Sequence, residues 1–307
     1  MQIGFNIQPR FIKHDHIDFR KYDQCVENAS GSLVYAYSWY LDIMAGDWDA
    51  FVWGDYDYVM PVPSRRKWGI RYVYQPVFAQ QLGICPTPPV DIQKAFFKRL
   101  KRKFRYIHYQ VPATIKEDIL KGFTIKPLHT RVLSLEPGYP ALVKQYDDYI
   151  LQNLKKARQH EIKVTRLAEV DDFFELKDDS KKIPVPEKSW RNLRKLMKLS
   201  IHDGSGWLYS ASGNENEFLA AAFFLVWRTR AYYMTVVSNE EGREKRAGFA
   251  LLDQFLRDFA GQPLIFDFEG SSVPGVDKFF ESFGAEKEHY FMLSRNRLPW
   301  FISIFKK

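Results

Sequence analysis

A polar loop between two apolar stretches carries the residues with the clearest chemical potential in this sequence. The loop reads SNEEGREKRAG and holds Gly242, Arg243, Arg246 and Gly248. Glycine lets the backbone approach a ligand closely, and a helix N-terminus directs N–H groups at an anion. Arginine adds charge-assisted hydrogen bonds to phosphate oxygens. The pattern predicts a pyrophosphate-binding loop that uses the backbone amides from about Arg246 to Phe249. The alternative is an exposed connection with solvated arginines.

The segments on either side of this loop predict a strand–helix–strand unit. Residues 218–227 are apolar on both faces, which indicates a central strand, and residues 231–237 return beside it. After the loop, apolar residues recur at helical spacing, and a strand over 264–268 follows. Two strands joined by one helix should run parallel with a right-handed crossover. A short helix over 275–283 and a strand over 289–294 complete this half. The helical stripe comprises Leu252, Phe255, Leu256 and Phe259.

Two carboxylates at the strand over 264–268 could handle protons. Asp267 and Glu269 alternate with phenylalanines, so a regular strand would turn both carboxylates to one face. Glu269 lies at the carboxyl end of the strand, where ligands of open α/β sheets gather, which makes it the general-base candidate. The alternative is that Glu269 accepts backbone hydrogen bonds from the following turn. Ser271 and Ser272 are predicted to cap the short helix.

The first half repeats this order of elements with little sequence identity. A helix over 91–103, a strand over 104–109 and a second short helix are predicted there. The segment before that helix, Cys85-Pro86-Thr87-Pro88-Pro89, is rich in proline, which offers no N–H to a phosphate. We therefore expect an α+β (mixed α/β) protein with two similar lobes, each a mixed, mostly antiparallel sheet with flanking helices. The expected domains are residues 1–137, a degenerate copy, and residues 138–307.

The composition narrows the class of protein. Of the 307 residues, 45 are Lys or Arg and 37 are Asp or Glu, and the net charge of +8 favours anionic partners. Only two cysteines occur, with no Cys/His spacing typical of a metal site, so we expect no metal. No apolar run is long enough to span a bilayer, and the N-terminus lacks the pattern of a signal peptide. A cytoplasmic protein without a transmembrane segment is expected, and the oligomeric state stays open.

The second half resembles the GNAT acyltransferase superfamily, whose phosphate loop follows R/Q-x-x-G-x-G/A. Arg243-x-x-Arg246-x-Gly248 matches the first and last positions of that pattern, and an arginine stands at its middle glycine. The two-lobed layout, the stretch FDFEGS and the closing FF-x-x-FGA also resemble the Fem-type, or FemAB-like, peptidyltransferases. The closing motif of those proteins usually reads FK-x-x-FG, with a lysine where this chain has Phe280.

This resemblance implies an N-acyltransferase that moves an acetyl or other acyl group from acyl-CoA to an amine by direct attack. It implies that the strand over 231–237 pairs with the pantetheine arm, and that Tyr290 is a general acid beside Glu269 as base; the alternative for Tyr290 is an ordinary strand tyrosine. The acceptor would be a small molecule or a peptide-like amine. The expected donor-binding residues are Val236, Val237, Arg243, Arg246, Ala247, Gly248 and Phe249.

Two other functions stay open. One is a Fem-like aminoacyl transferase that takes aminoacyl-tRNA, for which the basic clusters at 155–158 and 191–198 could form a groove. Such clusters are more often solvated helix faces, so the tRNA donor is not favoured. The other is a non-catalytic GNAT-fold scaffold whose loop has decayed, which Arg246 in place of glycine would reflect.

Overall fold

A computed structural model describes residues 8–166, 169–179, 185–270 and 274–298 of the chain. Within these residues there are ten α-helices and twelve β-strands. The strands are β1 (Arg10–Ile12), β2 (Trp48–Trp53), β3 (Tyr58–Lys67), β4 (Ile70–Val73), β5 (Tyr106–Pro112), β6 (Thr124–Ser134), β7 (Lys163–Arg166), β8 (Gly206–Ser212), β9 (Phe218–Trp227), β10 (Arg230–Ser238), β11 (Ile265–Asp267) and β12 (Glu286–Asn296). The helices are α1 (Phe19–Glu27), α2 (Ser38–Met44), α3 (Val90–Lys103), α4 (Tyr139–Val143), α5 (Asp148–Gln159), α6 (Val170–Asp179), α7 (Glu187–His202), α8 (Glu240–Glu244), α9 (Ala247–Phe259) and α10 (Pro274–Glu281). None of these helices is long and apolar enough to cross a bilayer.

The chain folds into two compact units, each of mixed helix and sheet. Unit 1 comprises residues 1–128 and 289–307, and unit 2 comprises residues 129–288. This division differs from the boundary expected at residue 137. Most of β12 returns to unit 1 because it pairs there with β5, from Tyr290 opposite Pro112 to Asn296 opposite Tyr106.

Unit 2 contains a sheet whose strands follow the order β6, β11, β10, β9, β8, β7. Every neighbouring pair is antiparallel except β10 and β11, which run parallel on either side of the connection through α9. The predicted return of residues 231–237 beside the strand over 218–227 and the predicted parallel strand–helix–strand unit are therefore both confirmed. The interior position of β9 explains its apolar sequence, because both of its faces are covered.

Aromatic packing fixes α9 against this sheet. The ring of Phe255 on α9 stacks on that of Phe224 on β9, with centroids 3.9 Å apart and planes at 12°. Phe259, one turn further along, stacks on Phe255 at 4.4 Å. All three rings are buried, and each contributes roughly 1.5–3 kcal/mol relative to an exposed ring. The position of the first turn of α9 is thereby set by the core.

Helix α10 is held against β6 by an ion cluster within unit 2. Arg131 on β6 is 4% exposed and donates to both carboxylate oxygens of Asp277 on α10, at 2.7 and 3.1 Å. His129 Nε2 lies 2.8 Å from the same carboxylate. The hydrogen bond from Arg131, opposed by burial and assisted by His129, holds the pKa of Asp277 well below its ordinary value. This cluster fixes the position of the side chains on α10.

The strands of unit 1 follow the order β1, β2, β3, β4, β5, β12. Its neighbouring strands are antiparallel apart from β4 and β5, which are parallel. The helix predicted over 91–103 is confirmed as α3, which buries Phe96, Phe97 and Leu100. The second short helix of this half is a single 3₁₀ turn, Glu117–Leu120. The two-lobed α+β fold is therefore confirmed.

Candidate functional site

A pocket of about 420 Å³ opens in unit 2 where β10 ends and α9 begins. This volume is in the range of small-molecule sites. The polar loop, the end of β10 and one residue of α10 form its walls. The lining residues are Tyr233, Val236, Val237, Ser238, Gly242, Arg243, Arg246, Gly248, Phe249 and Phe279. Six of the seven residues expected to bind a donor line this pocket, and the seventh, Ala247, is buried at the start of α9.

The polar loop is more ordered than the sequence suggests, because residues 240–244 form α8. Asn239 caps this short helix: its side-chain oxygen accepts from Gly242 N–H at 2.7 Å, and its amide donates to the carbonyl of Phe218 at 3.1 Å. A Cβ on Gly242 would lie 2.3 Å from the carbonyl oxygen of Leu219. Only glycine allows α8 to approach β9 this closely.

Arg246 joins α8 to α9 in a left-handed backbone conformation, with φ of 66°. This is the position where the GNAT pattern has glycine, and non-glycine residues take it at a cost of roughly 1–2 kcal/mol. The left-handed residue redirects the chain so that α9 starts with the N–H groups of Ala247 and Gly248. Neither N–H has a hydrogen-bond partner within the described residues, as expected at a helix N-terminus. A Cβ on Gly248 would meet no atom within 4 Å, so the space beside it is open.

The positive charge of the pocket comes from Arg243 and Arg246. Lys245 lies between them in sequence but is held by Glu217 at 2.8 Å and Glu241 at 2.7 Å, and these hydrogen bonds raise its pKa. Arg243 is exposed, and its guanidinium donates to the carbonyl of Ser238 at 2.6 Å. The Nε atom of Arg246 is buried without a partner in the described part of the chain. Two arginines and a helix N-terminus therefore favour an anion at this end of the pocket.

The opposite wall of the pocket is aromatic and apolar. Phe249 and Phe279 meet edge to face with ring centroids 5.1 Å apart, and the rings of Tyr149 and Phe249 meet edge to face at 5.7 Å. Tyr233 and Val236 complete this wall. The pocket thus suits a ligand with an anionic head and a largely apolar body.

A β-bulge in β10 explains how Tyr233 and Val236 line the same pocket. The pairing with β9 shifts between Tyr233 and Thr235, which makes Met234 the extra residue of the bulge. Without the bulge, residues 233 and 236 would point to opposite faces of the strand. The extra residue of a bulge is left out of the ladder, and bulges are common beside active sites.

Strand β10 pairs with β11 only along its first three residues. Their parallel register runs from Arg230 opposite Ile265 to Tyr232 opposite Asp267, where β11 ends. β10 continues to Ser238, so the edge of residues 233–238 that faces away from β9 is not paired with β11. Unpaired backbone groups of this kind can hydrogen-bond an extended ligand as an added strand would.

Asp267 is structural. It is fully buried, and one of its oxygens accepts from Thr130 at 2.6 Å and from the Glu269 N–H at 3.0 Å. The other oxygen accepts from Arg230 at 2.7 and 3.0 Å. Burial disfavours the Arg230 cation, but Asp267 and Glu288 outweigh it and raise the pKa of Arg230. Asp267 therefore anchors the end of β11.

The expectation that Asp267 and Glu269 share one strand face is wrong. Strand β11 ends at Asp267, and Glu269 has a left-handed backbone with φ of 52°, so strand alternation does not reach it. Glu269 is half-buried at this chain reversal, and its role as base stays a prediction. Tyr290 is buried on β12 in unit 1, and its role as acid also stays a prediction. Ser271 and Ser272 lie outside the described residues.

Sequence reasoning did not include four of the lining residues in the donor site. Gly242 belongs to the predicted loop, but its contact with Leu219 exists only in the folded structure. The place of Tyr233 depends on the β-bulge, which the sequence does not reveal. The place of Phe279 depends on which face of α10 borders the pocket, which the sequence also does not reveal. Ser238 comes directly after the expected Val236 and Val237 in the sequence, so its place could have been predicted.

Across the described residues, no group of three or more His, Cys, Asp or Glu side chains could hold a metal ion.

Comparison with known proteins agrees with this geometry. Residues 148–280 match the family model described as an acetyltransferase (GNAT) domain, and all ten pocket residues fall within this segment. The pocket therefore lies in the part of the chain that is similar to a GNAT domain. No curated protein matches the chain in sequence.

Solved structures show the arrangement of the whole chain. FemX is similar with a TM-score of 0.67 and 12% identity, over 97% of this chain and 100% of FemX. L-PGS from Bacillus licheniformis has a TM-score of 0.54 and 12% identity, over 93% and 94%. A tandem GNAT protein from the clavulanic acid biosynthesis pathway has a TM-score of 0.50 and 9% identity, over 93% and 97%. At identities this low, structural similarity establishes the fold alone. The chain therefore has the two-lobed, Fem-like GNAT fold.

Proposed function

We propose that this protein transfers an acyl group from acyl-CoA to an amine. The proposal rests on the pocket that joins the N-terminus of α9 and two arginines to the unpaired edge of β10. The pyrophosphate of the donor would bind the N–H groups of Ala247 and Gly248, with Arg243 and Arg246 neutralising its charge. The pantetheine arm would lie along residues 233–238 and contact the aromatic wall.

The reaction needs little chemistry from the protein. The amine nitrogen forms a bond to the acyl carbon, and the bond from that carbon to the CoA sulfur breaks. One proton leaves the amine for a base, and the departing thiolate takes up a proton to become a thiol. We assign the base to Glu269, at the end of β11, and retain Tyr290 as the acid. The acceptor is a small molecule or a peptide-like amine.

An aminoacyl-tRNA donor is the main alternative, because the Fem-like fold hosts either kind of donor. Phe280, at the position of the Fem-type lysine, is 5% exposed and packs on Phe268 with ring centroids 4.8 Å apart. A buried ring cannot contact a phosphate, which favours the CoA donor. The scaffold alternative is weakened by the left-handed φ of Arg246, since the backbone retains the path that glycine would take.

The first test is ligand-dependent thermal stabilisation. Acetyl-CoA or a longer acyl-CoA should raise the melting temperature of the wild-type protein, because binding to the folded state adds stability by mass action. Arg243→Ala should weaken this binding about tenfold or more, the effect of losing a charge-assisted hydrogen bond. Arg191→Ala, on the exposed side of α7 in the same unit, is the matched control and should respond like wild type.

The outcomes separate the three functions. No shift with any acyl-CoA, together with retention of aminoacyl-tRNA on a native gel, would favour the Fem-like donor. No response to either ligand would favour the scaffold. An equal loss of binding in Arg191→Ala and Arg243→Ala would point to a general charge effect, and would remove the assigned pocket.

The second test concerns the base. Glu269→Gln keeps the shape of the side chain but cannot accept the proton, so turnover should fall about a hundredfold while donor binding is unchanged. Steady-state kinetics and a binding titration on the same preparation measure both quantities. An unchanged turnover would remove Glu269 as the base and leave the donor pocket intact.

A further inference from the structure

The hairpin of β3 and β4 in unit 1 closes through an unusual turn. Lys67 pairs with Ile70, which leaves Trp68 and Gly69 as the only residues of the turn. Both have positive φ, 51° for Trp68 and 75° for Gly69. Two-residue turns with positive φ at both positions favour Asn-Gly, and a bulky side chain rarely adopts this conformation. The chain therefore accepts backbone strain to keep a tryptophan at this tip.

Trp68 is exposed to an extent that packing does not explain. Its relative exposure of 58% is the highest among the large hydrophobic side chains of the described residues. An asparagine at this position would close the same turn with less strain and would not expose an apolar ring to solvent. Strain retained at an exposed position is the pattern of a functional residue.

The residues that lead to the tip are cationic. Arg65, Arg66 and Lys67 are all exposed, and none of the three forms an ion pair with a carboxylate in the described parts of the chain. Arg65 lies over the ring of Tyr74 at 4.0 Å, and Lys67 lies over Trp68 at 4.6 Å. The hairpin thus presents one ring and three uncompensated positive charges.

The same excess of positive charge extends over unit 1. Its sequence has 22 Lys and Arg against 12 Asp and Glu, whereas unit 2 has 23 against 25. Unit 1 therefore has an excess of ten positive charges, and unit 2 has an excess of two negative charges. Four cations on α3, at helical spacing, line a groove of about 230 Å³ with Gln8, Asp91 and Ala95. They are Lys94, Lys98, Arg99 and Arg102.

Neighbouring cations in unit 1 are close enough to perturb one another. Burial and then the Arg71 guanidinium on β4 lower the pKa of Lys103 at the end of α3. Burial and then the Arg295 and Arg297 guanidinium groups lower the pKa of Lys101. Cations that disfavour each other in this way gain stability when an anionic partner approaches.

We infer that the β3–β4 hairpin docks unit 1 on an anionic lipid bilayer, with the Trp68 ring at the headgroup level and the adjacent cations on lipid phosphates. Tryptophan is enriched at membrane interfaces because its ring is apolar with one polar N–H. Basic residues beside it gain from the negative surface potential of anionic lipids. Such peripheral docking needs no membrane-spanning helix.

A lipid surface fits the hairpin better than a nucleic acid. Single-stranded nucleic acids bind platforms on which successive bases stack on open aromatic faces. Here Arg65 covers Tyr74, Lys67 covers one face of Trp68, and Tyr72 meets Tyr106 edge to face at 6.0 Å. One protruding ring with flanking cations is the pattern of an interfacial anchor.

Vesicle flotation with the full-length chain tests this inference. Wild-type protein should float with vesicles of phosphatidylcholine and phosphatidylglycerol, should not float with phosphatidylcholine alone, and should dissociate as salt is raised. Trp68→Asn should reduce the vesicle affinity about tenfold, because the ring is lost. The same change creates Asn-Gly, the favoured pair for this turn, so folding should be preserved or improved.

Charge variants complete the experiment. Arg66→Gln should reduce the affinity for anionic vesicles about fivefold, whereas Arg191→Gln in unit 2 should leave it unchanged. Wild-type protein that ignores anionic vesicles would overturn the inference, as would Trp68→Asn with unchanged affinity. Retention of a short RNA by the wild type without vesicle binding would also overturn it and would assign the surface to nucleic acid. None of these results depends on the acyl donor.

Discussion

Gly242→Ala should weaken donor binding more than about tenfold by distorting the loop that forms the pocket. The new Cβ would lie 2.3 Å from the Leu219 carbonyl oxygen and 2.6 Å from Ser238 Oγ, and the carbonyl belongs to the backbone of β9 and cannot rotate away. Helix α8 must therefore move, at a cost of about 1–3 kcal/mol of folding stability. Because α8 carries Arg243 and leads into Arg246, acyl-CoA affinity should fall more than about tenfold. Urea unfolding and a calorimetric titration measure the two effects.

Gly248→Ala is the matched control for that experiment. A Cβ at Gly248 meets no atom within 4 Å, and the residue lies in the first turn of α9. Alanine favours a helix over glycine by up to about 1 kcal/mol, so this variant should be at least as stable as wild type. The GNAT pattern accepts alanine at this position, and donor binding should persist. If Gly242→Ala bound the donor as well as Gly248→Ala, the loop geometry would not determine the site.

Asp267→Ala should produce the largest loss of stability of any single change near the site. The variant leaves the Arg230 guanidinium, whose side chain is 12% exposed, with Glu288 as its remaining carboxylate partner. It also removes the acceptor for Thr130 and for the Glu269 N–H. Breaking a buried ion pair from one side costs about 3–5 kcal/mol. The free energy of unfolding in urea, with circular dichroism as the probe, measures this loss.

Two controls show whether the loss of stability in Asp267→Ala comes from the Arg230 charge that is left without its buried partner. Glu288→Gln removes the outer partner of Arg230, which is 39% exposed, and should cost less than about 1 kcal/mol. The double variant Arg230→Met/Asp267→Leu removes both charges and should recover most of the stability lost in Asp267→Ala. A loss below about 1 kcal/mol in Asp267→Ala itself would contradict the role of Asp267 as the anchor of β11.

The sequence predicts the parts of this fold that hydrophobic periodicity determines. The apolar run of β9 predicts a strand and the stripe of α9 predicts a helix. A helix that connects two neighbouring strands of one sheet returns the chain to the same end, so β10 and β11 are expected to be parallel. Hydrophobic periodicity does not predict helix α8, because residues 240–244 carry no apolar stripe. It depends on one side-chain cap from Asn239 and on the contact of Gly242 with β9, both of which exist only after β9 and β10 have paired.

The sequence predicts which segment of the chain forms the site, but it does not predict the backbone conformation of that segment. The positions of glycine and arginine in the loop identify the right part of the chain. They do not reveal that Arg246 takes the left-handed conformation itself, since propensity argues against it. Glu269 shows the same limit: alternation fails there because one positive φ reverses the chain, where the Glu269 N–H donates to Asp267. The Met234 bulge likewise has no sequence signature.

Hydrogen–deuterium exchange with and without acyl-CoA tests the central claim most directly. The proposal predicts that the donor slows amide exchange in residues 233–238 of β10 and in residues 246–249 at the start of α9. Arg243→Ala at the same donor concentration should lose this protection. Unchanged exchange in both segments at saturating acyl-CoA, or protection confined to unit 1, would contradict the assignment of the pocket as the donor site.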